Sequence, residues 1–80
     1  MNKKIAELRE QIDQLDDQII ELLQKRFEVT DTVGEVKKTL KTSVYNPTRE
    51  AVIYDKMKDD SIKKVYQCII EESKNRQKKE

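Results

Sequence analysis

Arg26 stands where an apolar residue belongs. The series Ile5, Leu8, Ile12, Leu15, Ile19, Leu22, Val29, Val33, Val36, Leu40 advances in alternating steps of three and four, and its missing member falls at Arg26. Lys37 follows eleven residues later, close to three full helical turns, so the two cations share a face with Thr30 and Val33 between them. Glu50 shares a helix face with Ile53, Tyr54 and Met57. Ser73 and Gln77 extend the stripe Ile62, Tyr66, Ile69 in steps of four. Buried charge is costly unless something pairs with it. Inward-facing Arg and Lys supply positive charge, Ser and Gln can donate hydrogen bonds, and Glu50 can accept from a ligand hydroxyl. Such a cavity suits a small polar dianion that bears a hydroxyl group.

Each of these residues, taken singly, also fits an ordinary structural role. One polar residue in a heptad seam can fix register or oligomeric state. Glu50 in a first helical turn favours the helix dipole. Ser73 and Gln77 can belong to a fraying helix end, and Lys37 can snorkel to water. Arg9, beside the acidic Glu10, reads as a surface residue. Together, these plain roles would need five separate helical stripes to be excused one by one.

Arg9 also carries a geometric argument. It lies about 25 Å along the helix from Arg26, too far for both to hold one ligand within a single chain. If two long helices cross antiparallel near residues 17 and 18, Arg9 of one lies opposite Arg26 of the other. A two-fold dimer would then hold two equivalent sites.

The elements that must position these residues are helices. The heptad seam predicts a first helix over about 3–39, roughly 52 Å of apolar stripe, with Asn2 as its cap. Gly34 is tolerated within it at a cost of about 1 kcal/mol relative to Ala. Residues 41–46 read as a loop. Asn46-Pro47 signals a helix start, so a second helix is expected over about 47–58. Asp59-Asp60-Ser61 offers a turn and a new cap, with a third helix over about 61–78. Two helices of about 30 residues in all, folded as an antiparallel pair, cannot cover the whole seam. The remainder is expected to meet another chain, most simply a second copy.

Composition sets the outer limits. With 80 residues, one glycine, one proline and 41% charged residues, the chain predicts a single all-α domain. Only 35% of residues are hydrophobic, a thin supply for a core, and oligomerisation is a usual remedy. A net charge of +1 gives no overall attraction to nucleic acid or to a membrane. Lys74, Arg76, Lys78 and Lys79 read as a solvated helix end that suits the dipole. Absence of an apolar run of about 20 residues, and of a signal core after Met1, predicts a cytoplasmic protein with no membrane span. The lone Cys68 sits in an apolar run and is expected to pack. Without histidine, Ser–His and Cys–His nucleophilic catalysis are excluded, and a metal site is not expected.

Several segments carry a family resemblance: Leu8-Arg9-Glu10, Lys25-Arg26, Val33-Gly34-Glu35-Val36-Lys37, Arg49-Glu50, and Ile69-Ile70-Glu71-Glu72-Ser73 followed by Gln77. In this order and spacing the chain resembles the chorismate mutases of the all-helical class. The resemblance implies an intertwined all-α homodimer with shared active sites, converting chorismate to prephenate in aromatic amino acid biosynthesis. It further implies that Arg26 and the partner's Arg9 hold the substrate carboxylates. Lys37 and Gln77 would face the ether oxygen of the breaking bond. Glu50 would accept from the ring hydroxyl, Ser73 would lie near the ring carboxylate, and Arg49 would support the site. The reaction is a unimolecular Claisen-type rearrangement that needs no nucleophile, metal or cofactor.

Two departures from the family stand out. Asp is common there where this chain has Asn46, so a hydroxyl contact at Asn46 loses its charge. The stretch between Glu50 and Ser73 is shorter than in the family by about two helical turns. A shortened hairpin strips core contacts, so marginal stability is expected. Two other functions remain open at this point. One is an isochorismate pyruvate lyase, a relative with the same fold; the other is a non-catalytic helical dimerisation module.

Overall fold

The computed structural model describes residues 2–78, and among them there are three helices and no strand. The first, α1 (Lys3–Leu40), has 38 residues. The Asn2 side chain accepts from the Lys4 backbone N–H at 2.8 Å, satisfying one of the donors that a helix start leaves open. At the other end Lys41 adopts a left-handed conformation, with φ of 58°. Its N–H reaches the Lys38 carbonyl and the Thr42 N–H reaches the Lys37 carbonyl at 2.9 Å. This is a Schellman closure with lysine where glycine usually stands.

The second helix, α2 (Pro47–Asp55), has nine residues. Asn46 caps it, its side-chain oxygen accepting from the Arg49 N–H at 3.1 Å, and Pro47 occupies the first turn. It ends at Asp55, three residues before the expected Lys58. The reason lies in the local bonding. Lys56 and Met57 donate to the Ile53 and Tyr54 carbonyls in tight three-residue steps. Asp59 is already engaged as the cap of the next helix, accepting from the Ser61 N–H at 2.7 Å. That helix, α3 (Asp60–Lys78), begins one residue earlier than expected.

The tertiary contact is chiefly between α1 and α3, which run parallel. Ser61 and Ile62 lie beside Ile19, while Arg76 and Gln77 lie beside Asp31 and Gly34. The closest approach is at Gly34. A Cβ there would sit 2.8 Å from Gln77 Cγ and 3.1 Å from Gln77 Cα, so the missing side chain is what lets α3 settle on α1. Arg76 is exposed, as expected, and also forms a two-pronged bond to Asp31 at 3.0 and 2.7 Å and lies over the Phe27 ring at 4.8 Å. That bond holds the Asp31 carboxyl below its usual range.

The interior is very small. Ile70 is the only buried hydrophobic side chain among those described, joined by Gly34 and the polar Ser73 and Gln77. A compact chain of 80 residues has a radius of gyration of about 12 Å. This one has 16.5 Å and extends over 57 Å. The length is that of α1, whose first half projects beyond the other helices. Ile5, Leu8, Ile12, Leu15, Ile19 and Leu22 are each exposed, from 44 to 63%. Ile62 and Val65, expected as core of α3, are also exposed, as is Cys68, which does not pack. No described helix is long and apolar enough to cross a membrane.

Candidate active site

The C-terminal half of α1, the 41–46 loop, α2 and the last turns of α3 enclose a cleft of about 280 Å³. That is near the lower end of pockets that hold small molecules, about 300–1,000 Å³. Arg26 and Lys37 reach it from α1, Asn46 from the loop, Arg49 and Glu50 from α2, and Ser73 and Gln77 from α3. Val29, Thr30, Val33, Ile53 and Ile70 supply apolar walls between them. Arg9 is not among the lining residues; it is exposed on the projecting half of α1. Seven of the eight residues singled out in the sequence therefore converge within one chain.

Most of these polar groups have a defined support. An Arg26 Nη1–H donates to Ser73 Oγ at 2.8 Å, and the Ser73 hydroxyl donates to the Ile69 carbonyl at 2.8 Å. The guanidinium also lies 5.8 Å from the centre of the Tyr66 ring. Ser73 thus aims Arg26, while the remaining guanidinium N–H groups can still meet an anion. Lys37 Nζ donates to the Val44 carbonyl at 3.1 Å, pinning the loop that leads into α2. Asn46 spends its side-chain oxygen on capping α2, which places Glu50 one helical turn further on, facing the cleft.

Gln77 is buried, and its Oε1 has no protein donor. An amide oxygen without a protein donor leaves this group open to a ligand. A half-turn about its terminal bond presents the NH₂ in place of the oxygen, since the two ends differ little in shape. Gly34 fixes where this amide sits, because α3 touches α1 at that residue.

Lys74 is the residue the sequence reading passed over. Grouped there with a solvated basic run, it lines the cleft. Its ammonium lies 3.2 Å from Glu50 Oε2, 3.4 Å from Glu71 Oε2 and 5.0 Å from the centre of the Tyr45 ring. The bond to Glu50 raises its pKa above the usual lysine value. A signal was available: Lys74 follows the buried Ile70 by four residues and precedes Gln77 by three, which is one helical face. The basic neighbours concealed it.

Four cations, Arg26, Lys37, Arg49 and Lys74, thus line the cleft with one carboxylate, Glu50. The balance favours an anion. Among the described residues no group of His, Cys, Asp or Glu could hold a metal ion.

Comparison with known proteins gives this cleft a family. The sequence profile described as Chorismate mutase type II matches residues 8–78. A chorismate mutase from Methanocaldococcus jannaschii is 34% identical over 87 positions, covering 98% of this chain and 88% of that protein. Those positions outnumber the 80 residues of this chain, so at least seven residues of the relative have no counterpart here, about two helical turns. A bifunctional chorismate mutase/prephenate dehydratase from Aquifex aeolicus is 33% identical over 55 positions, which make up 69% of this chain and only 15% of that larger protein. A solved structure of a conserved hypothetical protein from Pyrococcus furiosus superposes with a TM-score of 0.90 at 31% identity, covering 98% of this chain and all of the other. The profile and a relative of similar size both match along nearly the whole length, and the chain therefore belongs to the chorismate mutase type II family, whose members are isomerases.

Proposed function

We propose that this chain converts chorismate to prephenate, in the route to aromatic amino acids, as a two-fold homodimer in which each cleft is completed by the partner's Arg9. The observation that carries the reading is the cleft itself. Arg26, held by Ser73, and Lys37, held by Val44, face a buried amide that has no protein donor at its oxygen. A hydroxyl-bearing dianion matches this inventory of charges and donors.

The rearrangement breaks one C–O bond and forms one C–C bond within the same molecule. No proton is transferred, so no acid, base or nucleophile is required. The protein must hold the compact conformer in which the reacting carbons approach, which lowers the entropic part of the barrier. It must also stabilise negative charge that develops on the ether oxygen as the C–O bond lengthens. Lys37 and the Gln77 amide are the donors assigned to that oxygen. Removing one preorganised donor of this kind typically costs about 3–4 kcal/mol. Arg26 takes a substrate carboxylate, Glu50 accepts from the ring hydroxyl, and Arg49 supports the rim.

Dimerisation follows from the bare half of α1. An apolar stripe from Ile5 to Leu22 exposed on one chain calls for a partner, and a second copy offers the same stripe. Antiparallel crossing near residues 17 and 18 brings the partner's Arg9 toward Arg26, adding the cation that the second carboxylate needs.

The test is disappearance of the chorismate diene absorbance with prephenate formed. Wild-type protein is expected to turn over, and Arg26→Ala to lose at least about a hundredfold in kcat/KM, the scale of one lost charge-assisted contact of about 3 kcal/mol. Equal background rates for the two proteins would defeat the reading. Free pyruvate released from isochorismate would mark a lyase instead.

A further inference from the structure

The short helix that carries Glu50 has little to hold it. α2 has nine residues and none of them is buried. Its cap at Asn46 fixes where it begins, not how it sits against the other two helices. What ties its first turn to α3 is the ion pair from Lys74 Nζ to Glu50 Oε2 at 3.2 Å.

This pair is sheltered. The Lys74 and Glu50 side chains are 18 and 21% exposed, whereas Glu71, the second carboxylate on Lys74, is 66% exposed. Solvent screens the Glu71 contact far more than the Glu50 contact. The Tyr45 ring closes a third side of the ammonium at 5.0 Å. With two carboxylates and an aromatic face around it, the Lys74 charge is spent on the protein. Arg26 and Lys37 differ in this respect, since their partners are a neutral hydroxyl and a neutral carbonyl. Their positive charge remains for a dianion.

We infer that Lys74 is a positioning residue which orients the Glu50 carboxylate toward the substrate's ring hydroxyl and so sets the site's preference for a hydroxylated ligand. The inference rests on the chorismate reading above. Lys74 takes Oε2, which leaves Oε1 to accept from the ligand. It also offsets the carboxylate charge, so that Glu50 does not repel an incoming dianion. Without the ammonium, Glu50 can swing to solvent and its contact with the hydroxyl is lost.

The test compares two competitive inhibitors, bicyclic dicarboxylates shaped like the compact conformer, one with the ring hydroxyl and one without. Inhibition is measured during chorismate turnover by wild type, Lys74→Arg, Glu50→Gln and the nearly isosteric Lys74→Met, with thermal midpoints recorded alongside. Wild type is expected to prefer the hydroxylated inhibitor. In Lys74→Met that preference should fall about tenfold, the scale of one hydrogen bond to a charged group. Glu50→Gln should lose as much, a protein carrying both Glu50→Gln and Lys74→Met no more than either single variant, and Lys74→Arg should keep most of it.

An unchanged preference in Lys74→Met, with both inhibitors weakened alike, would overturn the inference, because general loosening or lost charge acts on both. A wild type that does not distinguish the inhibitors would overturn it as well. Wild type that fails to form prephenate would instead bring down the substrate reading, and this inference with it.

Discussion

The two halves of α1 carry one heptad pattern and differ in what packs on the face beside it. From Ile5 to Leu22 the apolar stripe lies bare, and Arg9 lies bare with it. Beyond Leu22 the stripe itself stays exposed, Val29, Val33, Val36 and Leu40 at 40 to 66%, but the neighbouring face of the helix is covered by α2 and α3, and Arg26 and Lys37 become walls of a cleft. Sequence periodicity does not separate the halves. Coverage of the adjacent face does, because α3 has only 19 residues against the 38 of α1. The lesson is that a seam states which face must be buried and leaves open what buries it. On this chain the half beside α2 and α3 lines the cleft, and the proposed second copy would cover the other half.

The largest expected effect tests whether the bare half belongs to the site. Arg9→Ala and Arg26→Ala should each lose at least about a hundredfold in kcat/KM, although only Arg26 lines the cleft. Mixing the two inactive variants under conditions that allow subunit exchange should restore about a quarter of wild-type activity. Half of the dimers are then mixed, and each mixed dimer holds one intact site. Steady-state rates before and after mixing decide it. No recovery, with exchange verified independently, would separate Arg9 from the site.

A middle-sized effect sharpens the picture of the covered half. Gly34→Ala places a methyl group 2.8 Å from Gln77 Cγ, and relieving such overpacking costs about 1–3 kcal/mol. We expect a lower thermal midpoint and a fall in kcat larger than any change in KM, since Gln77 is assigned to the breaking bond. Unaltered kcat would mean the amide does not depend on this contact. An alanine placed at an exposed α1 position, as in Glu28→Ala, should leave kcat within about twofold.

The smallest effect lies where the covered half ends. Lys41 holds a left-handed conformation that costs a side-chain residue about 1 kcal/mol. Lys41→Gly should stabilise the fold by about 0.5–1 kcal/mol in denaturant unfolding, with activity unchanged. A destabilised Lys41→Gly protein would show that the lysine side chain contributes more than its backbone conformation costs.

Much was legible before the structure. Asn2 and Asn46 act locally, through hydrogen bonds to residues within a turn, and Pro47 through its fixed φ, so sequence alone placed the starts of α1 and α2. The end of α2 was missed because helix end signals compete. Lys56 and Lys58 suit a helix equally well, and the decision went to Asp59 capping the next element. Arg26 was legible because it broke a pattern. Lys74 and Arg76 were not, because a basic residue near a helix end fits the dipole whether or not it meets a partner; only the positions of Glu50 and Asp31 on other helices gave them one.

Sequence by itself determined that this chain would be helical, where two of its helices would begin, and that Arg26 and Lys37 would share one face, because propensity, capping and periodicity act over a few residues. Tertiary structure alone decided that Gln77 sits against Gly34, that Ser73 aims Arg26, and that Lys74 holds Glu50. Those are meetings between residues about 25 to 50 positions apart, and no local rule fixes the angle at which two helices cross.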